Sequence, residues 1–321
     1  MDQGSKSRAI SQEGASAPGL RIAVTGSSGL IGAALVERLT SDGHFPVRLV
    51  RRKAELPGEV FWQPGPGPRG GQVEEKELEG VDAAVHLAGD PVFVGRWTQA
   101  KKQAIVNSRV EGTRLLARTL ASLERRPRVL IAASGIHFYG DRGDQELTED
   151  ASLGSGFLAE VCRDWEAAAE PARQAGIRVV HLRIGMVLSM RGGALKSMLP
   201  AFRLGLGCVV GKGTQWWSWV RLADVVGAIM HAAAREDVRG PVNVVSPAPV
   251  RAAEFSATLA RVCDRPLLAR APMWAMRAVL GEKAEALALS TRGVPDRLRR
   301  SGYKFTHPGL EGALRAELGL P

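Results

Sequence analysis

The chain has 321 residues, a net charge of +10, 45% hydrophobic and 24% charged residues, which describes an ordinary globular protein of one large domain with an appendage or two modest ones. No run approaches the roughly 18 apolar residues of a membrane helix. Three distant cysteines (Cys162, Cys208, Cys263), with no CxxC pair, argue against a metal site or a disulfide framework and for a reducing, cytoplasmic compartment.

Residues 1–19 are polar, lack the apolar core of a secretory signal, and are expected to be disordered. Leu20–Thr25 then reads as a buried strand that stops at glycines, Gly29–Leu39 as a helix ended by Asp42-Gly43, and Val47–Val50 as a second strand. The Pro- and Gly-rich stretch 54–80 predicts a surface loop with a short strand near Val60–Trp62. Ala83–Ala88, Arg128–Ala133 and Val179–Leu182 read as further strands, with helices over Lys101–Leu123 and Gly156–Gln174 between them. Strands alternating with helices of this length indicate an α/β fold with a doubly wound parallel sheet. A first α/β unit is expected over 20–185, with later segments returning to the sheet. A smaller, mostly helical lobe should cover 186–321, with helices near Phe255–Val262 and Pro272–Leu287 and a terminal module from about 265.

The sharpest motif is Thr25-Gly26-Ser27-Ser28-Gly29-Leu30-Ile31-Gly32, a GxxGxxG turn between strand and helix. Gly26 suits the tight turn, Gly29 lets a pyrophosphate approach the backbone, and Gly32 lets the helix pack on the strand. The helix N-terminus then offers free N–H groups to phosphates. The second strand ends in Val50-Arg51-Arg52-Lys53, where NAD-binding chains usually carry an acid for the ribose hydroxyls. Guanidinium groups there suit a 2′-phosphate, so NADP(H) is the expected cofactor, and Leu87-Ala88-Gly89 leaves room beside its adenosine half. The basic residues are otherwise scattered and no nucleic-acid motif accompanies them, so a small molecule rather than nucleic acid or membrane is the expected partner.

These segments, with HLAG, RWTQAKKQAIVNSR, AASGIHFYG, FLAEVCRDWEAAA, LRIGMVL, GGALKSMLPAFRLGLG, QWWSWVRLAD and the C-terminal LGEKAEALALSTRGVPDRLRRSGYKFTHPGLEGAL, resemble an atypical extended short-chain dehydrogenase/reductase. The branch consists of epimerase-family proteins with a small C-terminal helical domain, often named cell-division inhibitors. The resemblance implies a Rossmann fold and an NADP(H) oxidoreductase or epimerase acting on a sugar nucleotide or carbonyl compound. It also implies cofactor contacts from the glycine turn, Arg51, Arg52, Leu87, Ala88 and Arg109, the last where ordinary members carry Asn. Extended members often pair through two helices, which makes 101–123 and 156–174 the place for a homodimer contact, unless their apolar faces lie on the sheet.

The usual chemistry of that family needs a Ser together with Tyr and Lys four residues apart on one helix. Ser134 stands at the end of a strand, but the Tyr slot falls near Leu158 and the Lys slot near Cys162. The two tyrosines, Tyr139 and Tyr303, begin no YxxxK. Ser134, His137 and Tyr139 are therefore the candidates for catalysis, with Glu166 behind them, and a non-catalytic NADP(H)-binding sensor or scaffold is the alternative. Trp216, Trp217, Trp219 and Arg221 line either a substrate cleft or the seam between the lobes.

Overall fold

The computed structural model describes residues 19–65, 71–267 and 269–321, so all of the polar leader except Gly19 lies outside the described residues. Eight strands form one sheet: β1 (Arg21–Thr25), β2 (Phe45–Val50), β3 (Glu59–Pro64), β4 (Gly71–Val73), β5 (Ala83–His86), β6 (Val129–Gly135), β7 (Arg178–Ile184) and β8 (Gly240–Val244). Their order is β8-β7-β6-β5-β1-β2-β3-β4, parallel throughout except for the β3–β4 pair at one edge. The chain winds outward from β1 in one direction and returns at β5 to wind in the other. A crevice opens at the carboxyl ends of β1, β2 and β5, where strand order reverses.

Strand alternation builds two cores. Ile22, Val24, Val129 and Ile131 face α1 (Leu30–Ser41) and a later helix over Leu222–Ala234, while Ala23 and Leu130 face α2 (Gln99–Ser122) on the other side. Leu115, Leu116 and Leu120 of α2 are buried on that second face. A third cluster, around Leu195, Trp219, Phe255 and Leu314, forms the core of the second lobe. Among the described residues no helix is long and apolar enough to cross a membrane.

Three expected elements differ. The helix expected over Gly156–Gln174 is two: α3 (Phe157–Ala167) and α4 (Glu170–Gln174). Pro171 sits in the first turn of α4, where its missing N–H costs nothing, whereas inside a continuous helix it would break the ladder. The helix expected over Pro272–Leu287 is likewise divided, into Met273–Leu280 and Lys283–Ala288, because Gly281 adopts φ +63°. The loop expected over 54–80 holds β3, β4 and a turn of 3-10 helix over Glu75–Leu78, anchored by buried Val60, Trp62 and Leu78. Residues 66–70 of that stretch lie outside the described residues.

Candidate cofactor and active site

The turn after β1 is shaped by close backbone approach. Gly26 has φ +66°, and a Cβ there would stand 2.8 Å from the amide nitrogen of Ala88, because β5 ends directly alongside. A Cβ at Gly32 would stand 2.1 Å from the Gly26 carbonyl oxygen, so α1 can lie this close only with glycine. Gly29 differs: its φ is −74°, and a Cβ would meet only the Gly26 carbonyl, at 3.2 Å. Gly29 therefore leaves space above the first turn of α1, whose N–H groups carry the positive end of the helix dipole.

Thr25, which sequence reasoning passed over, ties the turn to β5. Its buried hydroxyl oxygen accepts the N–H groups of Leu87 and Ala88 at 3.1 and 3.2 Å. That leaves the hydroxyl hydrogen for His86 Nδ1, 2.7 Å away. Burial pushes the His86 pKa down to about 3, so the ring is neutral, with its edge against Trp62.

A cleft of about 790 Å³ runs from this turn along the ends of β2 and β3. Its sides are Gly26–Gly29, Arg48–Arg52 with Glu59 and Trp62, Leu87–Pro91, and a face of α2 carrying Ala104, Asn107, Ser108 and Glu111. That volume lies within the range of cofactor sites. The two arginines expected to act alike are separated. Arg51 is exposed and, among the described residues, makes no ion pair or side-chain hydrogen bond. Arg52 donates to both oxygens of Glu59 at 2.8 and 2.6 Å. Glu59 was invisible to a reading that sought an acid at the end of the second strand, since it arrives from the third. The Arg52 hydrogen bonds, with those of the Glu55 and Leu56 amides, hold its carboxyl down to about 2.

Arg109 packs against the Gly89-Asp90 wall of the cleft. Its Nη1 donates to the carbonyls of Asp90 and Ile105 at 2.9 and 3.3 Å, and its guanidinium lies 4.9 Å from the Trp165 ring centre.

Ser134, Glu166 and Tyr139 meet in one hydrogen-bond network centred on Arg183. Ser134 is buried, 4% exposed, and donates to Glu166 Oε1 at 2.8 Å. Arg183 of β7 grips the same carboxylate, covers the Phe138 ring at 3.4 Å and donates to Tyr139 Oη at 2.9 Å. Tyr139, wholly buried, donates in turn to Asn243 Oδ1 at 2.8 Å, and burial raises its pKa. Tyr139, expected as a catalytic group, has its phenol held between Arg183 and Asn243. Ser134 is likewise committed within the protein.

His137 is different. It is half-buried, its side chain makes no hydrogen bond among the described residues, and its Nδ1 lies 3.9 Å from the point a Cβ at Gly135 would occupy. Burial lowers its pKa to about 4. Cys162, in the Lys slot, places its sulfur 3.4 Å from the same point, and burial pushes its thiol up to about 11. Leu158, in the Tyr slot, is buried on α3.

Trp216 alone of the three reaches across to the first unit, while Trp217 and Trp219 pack within the second lobe. Trp216 lies between the guanidiniums of Arg251 and Arg292, at 4.4 and 4.7 Å, and donates to Asp144. Trp217 and Trp219 donate to the carbonyls of Leu287 and Ala248, and Arg221 pairs with Glu317.

Residues 22–245 match the NAD dependent epimerase/dehydratase family, and residues 271–317 match a domain of unknown function, DUF1731. The chain is 41% identical over 294 residues to the epimerase family protein MT2273 of Mycobacterium tuberculosis, covering 91% of this chain and 96% of that one. It is 34% identical to the epimerase family protein YfhF of Bacillus subtilis, covering 92% and 97%. Among solved structures, human epimerase family protein SDR39U1 with NADPH superposes with a TM-score of 0.84 at 30% identity, over 94% of this chain and 99% of that one. A nucleoside-diphosphate sugar epimerase from Corynebacterium glutamicum gives 0.78 at 36% identity; this chain, 94% covered, spans 58% of that longer chain.

Proposed function

The chain belongs to the NAD dependent epimerase/dehydratase family, and from that premise we propose that it is an NADP(H)-dependent oxidoreductase of atypical mechanism, acting on a small carbonyl compound or sugar nucleotide. The observation that carries this reading is the cleft shared by the Gly26–Gly29 turn and Arg51, which has no partner among the described residues. The solved human relative with NADPH supports the choice of dinucleotide. In this reading Gly29 and the first turn of α1 admit the pyrophosphate, Arg51 meets the 2′-phosphate, and Leu87-Ala88 border the adenosine half. The bound dinucleotide would supply or accept a hydride.

Around that chemistry the protein's own groups hold and exclude. Glu166 and Arg183 fix the end of β6, Leu158 and Cys162 keep α3 apolar beside it, and neutral His137 is the titratable group at hand to pass a proton. Pairing of two copies through α2 and α3 belongs to the same reading, which is supported by a groove of about 410 Å³ between α2 and α3–α4. The three unpaired thiols support a reducing cytoplasm.

A second reading, a non-catalytic NADP(H)-binding protein, is favoured by Leu158 and Cys162 standing where the family's Tyr and Lys act. Fluorescence titration with NADPH and NADH, on wild type and Arg51→Ala, tests the cofactor. Tight NADPH binding that the variant loses supports both readings, and equal or absent binding of the two dinucleotides removes them. A screen of carbonyl compounds and sugar nucleotides, followed by NADPH absorbance, then separates them: turnover that falls in His137→Ala supports the enzyme.

A further inference from the structure

The arginines at the end of β2 surround a carboxylate contributed by the next strand. Glu59 opens β3 in register with Arg48, and its side chain is fully withdrawn from solvent. Five donors meet it: Arg48 Nη2 at 3.0 Å, Arg52 Nη1 and Nη2 at 2.8 and 2.6 Å, and the amides of Glu55 and Leu56 at 3.2 Å each. Glu59 nevertheless borders the same cleft as Arg48, Arg51 and Arg52. Two guanidiniums around one carboxylate leave a single positive charge, and Arg51, without a partner among the described residues, adds a second.

We propose that Glu59 is a specificity-determining residue, an acid masked by Arg52 and Arg48 so that the cleft prefers a 2′-phosphorylated dinucleotide. The inference rests on the NADP(H) reading above and gives the two neighbouring arginines different tasks. Arg51 presents its guanidinium to the phosphate. Arg52 is a positioning residue: its fork is committed to Glu59, and it acts on the ligand by cancelling that charge. An unmasked Glu59 would repel a 2′-phosphate and accept ribose hydroxyls, which is what the acid of an NAD site does. The turn at 53–56 is held by the same carboxylate, through the Glu55 and Leu56 amides, so masking and loop position are coupled.

The test is a charge-swap cycle read by binding alone. NADPH and NADH are titrated by fluorescence into wild type, Arg51→Met, Arg52→Met, Glu59→Gln and the double variant Arg52→Met/Glu59→Gln. The quantity read is the ratio of NADH to NADPH Kd, which isolates the 2′-phosphate. NADH binding in each variant reports whether the cleft is folded. Arg51→Met and Arg52→Met should each lower the ratio by about tenfold or more. Adding Glu59→Gln to Arg52→Met should restore it to within about threefold of wild type, a non-additive pair. Glu59→Gln alone should leave the ratio unchanged or raised. A double variant no better than Arg52→Met makes Arg52 itself the phosphate ligand and overturns the proposal, as does a fall in the ratio for Glu59→Gln alone. Wild type showing no preference for NADPH removes the cofactor reading and this inference together, whereas a wild-type preference without rescue removes only the inference.

Discussion

Arg183 holds Glu166 by two parallel bonds, Nε to Oε1 at 2.8 Å and Nη2 to Oε2 at 2.9 Å, with the two side chains 4% and 13% exposed. The pair joins β7 to α3, and through Ser134 and Tyr139 it reaches β6 and β8. Removing one partner strands the other's charge in the interior. Arg183→Met should therefore cost about 3–5 kcal/mol of stability, measured by urea unfolding. A loss below about 1 kcal/mol would mean that solvent reaches Glu166 and that the pair anchors nothing.

Gly29 and Gly32 should separate binding from folding. At Gly32 a methyl group collides with the Gly26 carbonyl, so Gly32→Ala should destabilise by about 1–3 kcal/mol. Gly29→Ala meets ordinary φ and one near contact, so its unfolding midpoint should stay close to wild type while NADPH affinity falls. Calorimetry with and without NADPH checks both. Equal thermal losses in the two variants would show that Gly29 serves packing.

Thr25 carries three bonds through one hydroxyl. Thr25→Val removes the acceptor for two amides and the donor for His86 together, at a cost of about 2–4 kcal/mol. Thr25→Ser keeps the hydroxyl and should recover most of that. Urea midpoints of the two variants compare directly, and a Val variant as stable as wild type would show that the hydroxyl's three bonds contribute nothing net.

His86 makes stability depend on pH. The folded ring stays neutral down to about pH 3, while the unfolded chain takes up that proton near 6.5. The unfolded state thus binds more protons between those values, so stability falls as pH drops from about 6.5, by up to roughly 1.4 kcal/mol per unit for this group. His137, with its pKa lowered to about 4, adds to the same slope. Urea unfolding at pH 5–7 should give His86→Gln a slope shallower by about one proton. Identical slopes would mean that water hydrates the ring.

Much of the fold was legible in the sequence because it is written in short-range order. Alternation in Ile22-Ala23-Val24 sorts side chains to two faces, and the spacing of Gly26, Gly29 and Gly32 marks a turn that local backbone sterics require. Pro171 and Gly281 were also readable as breaks, had they been weighed against the helical pattern around them. The absence of a YxxxK pair is likewise a local fact.

What the sequence determined by itself was the sheet's alternation, the glycine turn and the basic end of β2, since each depends on neighbours within a few residues. Only the tertiary structure decided which of those groups are free to act. Arg51 and Arg52 are adjacent and alike until β3 delivers Glu59 to one of them. Tyr139 looks like a proton donor until Asn243, 104 residues away, closes over it. Ser134 looks catalytic until α3 turns Glu166 onto its hydroxyl. Availability is set by burial and by a partner's charge, and both arise from contacts between distant segments that no periodicity along the chain records.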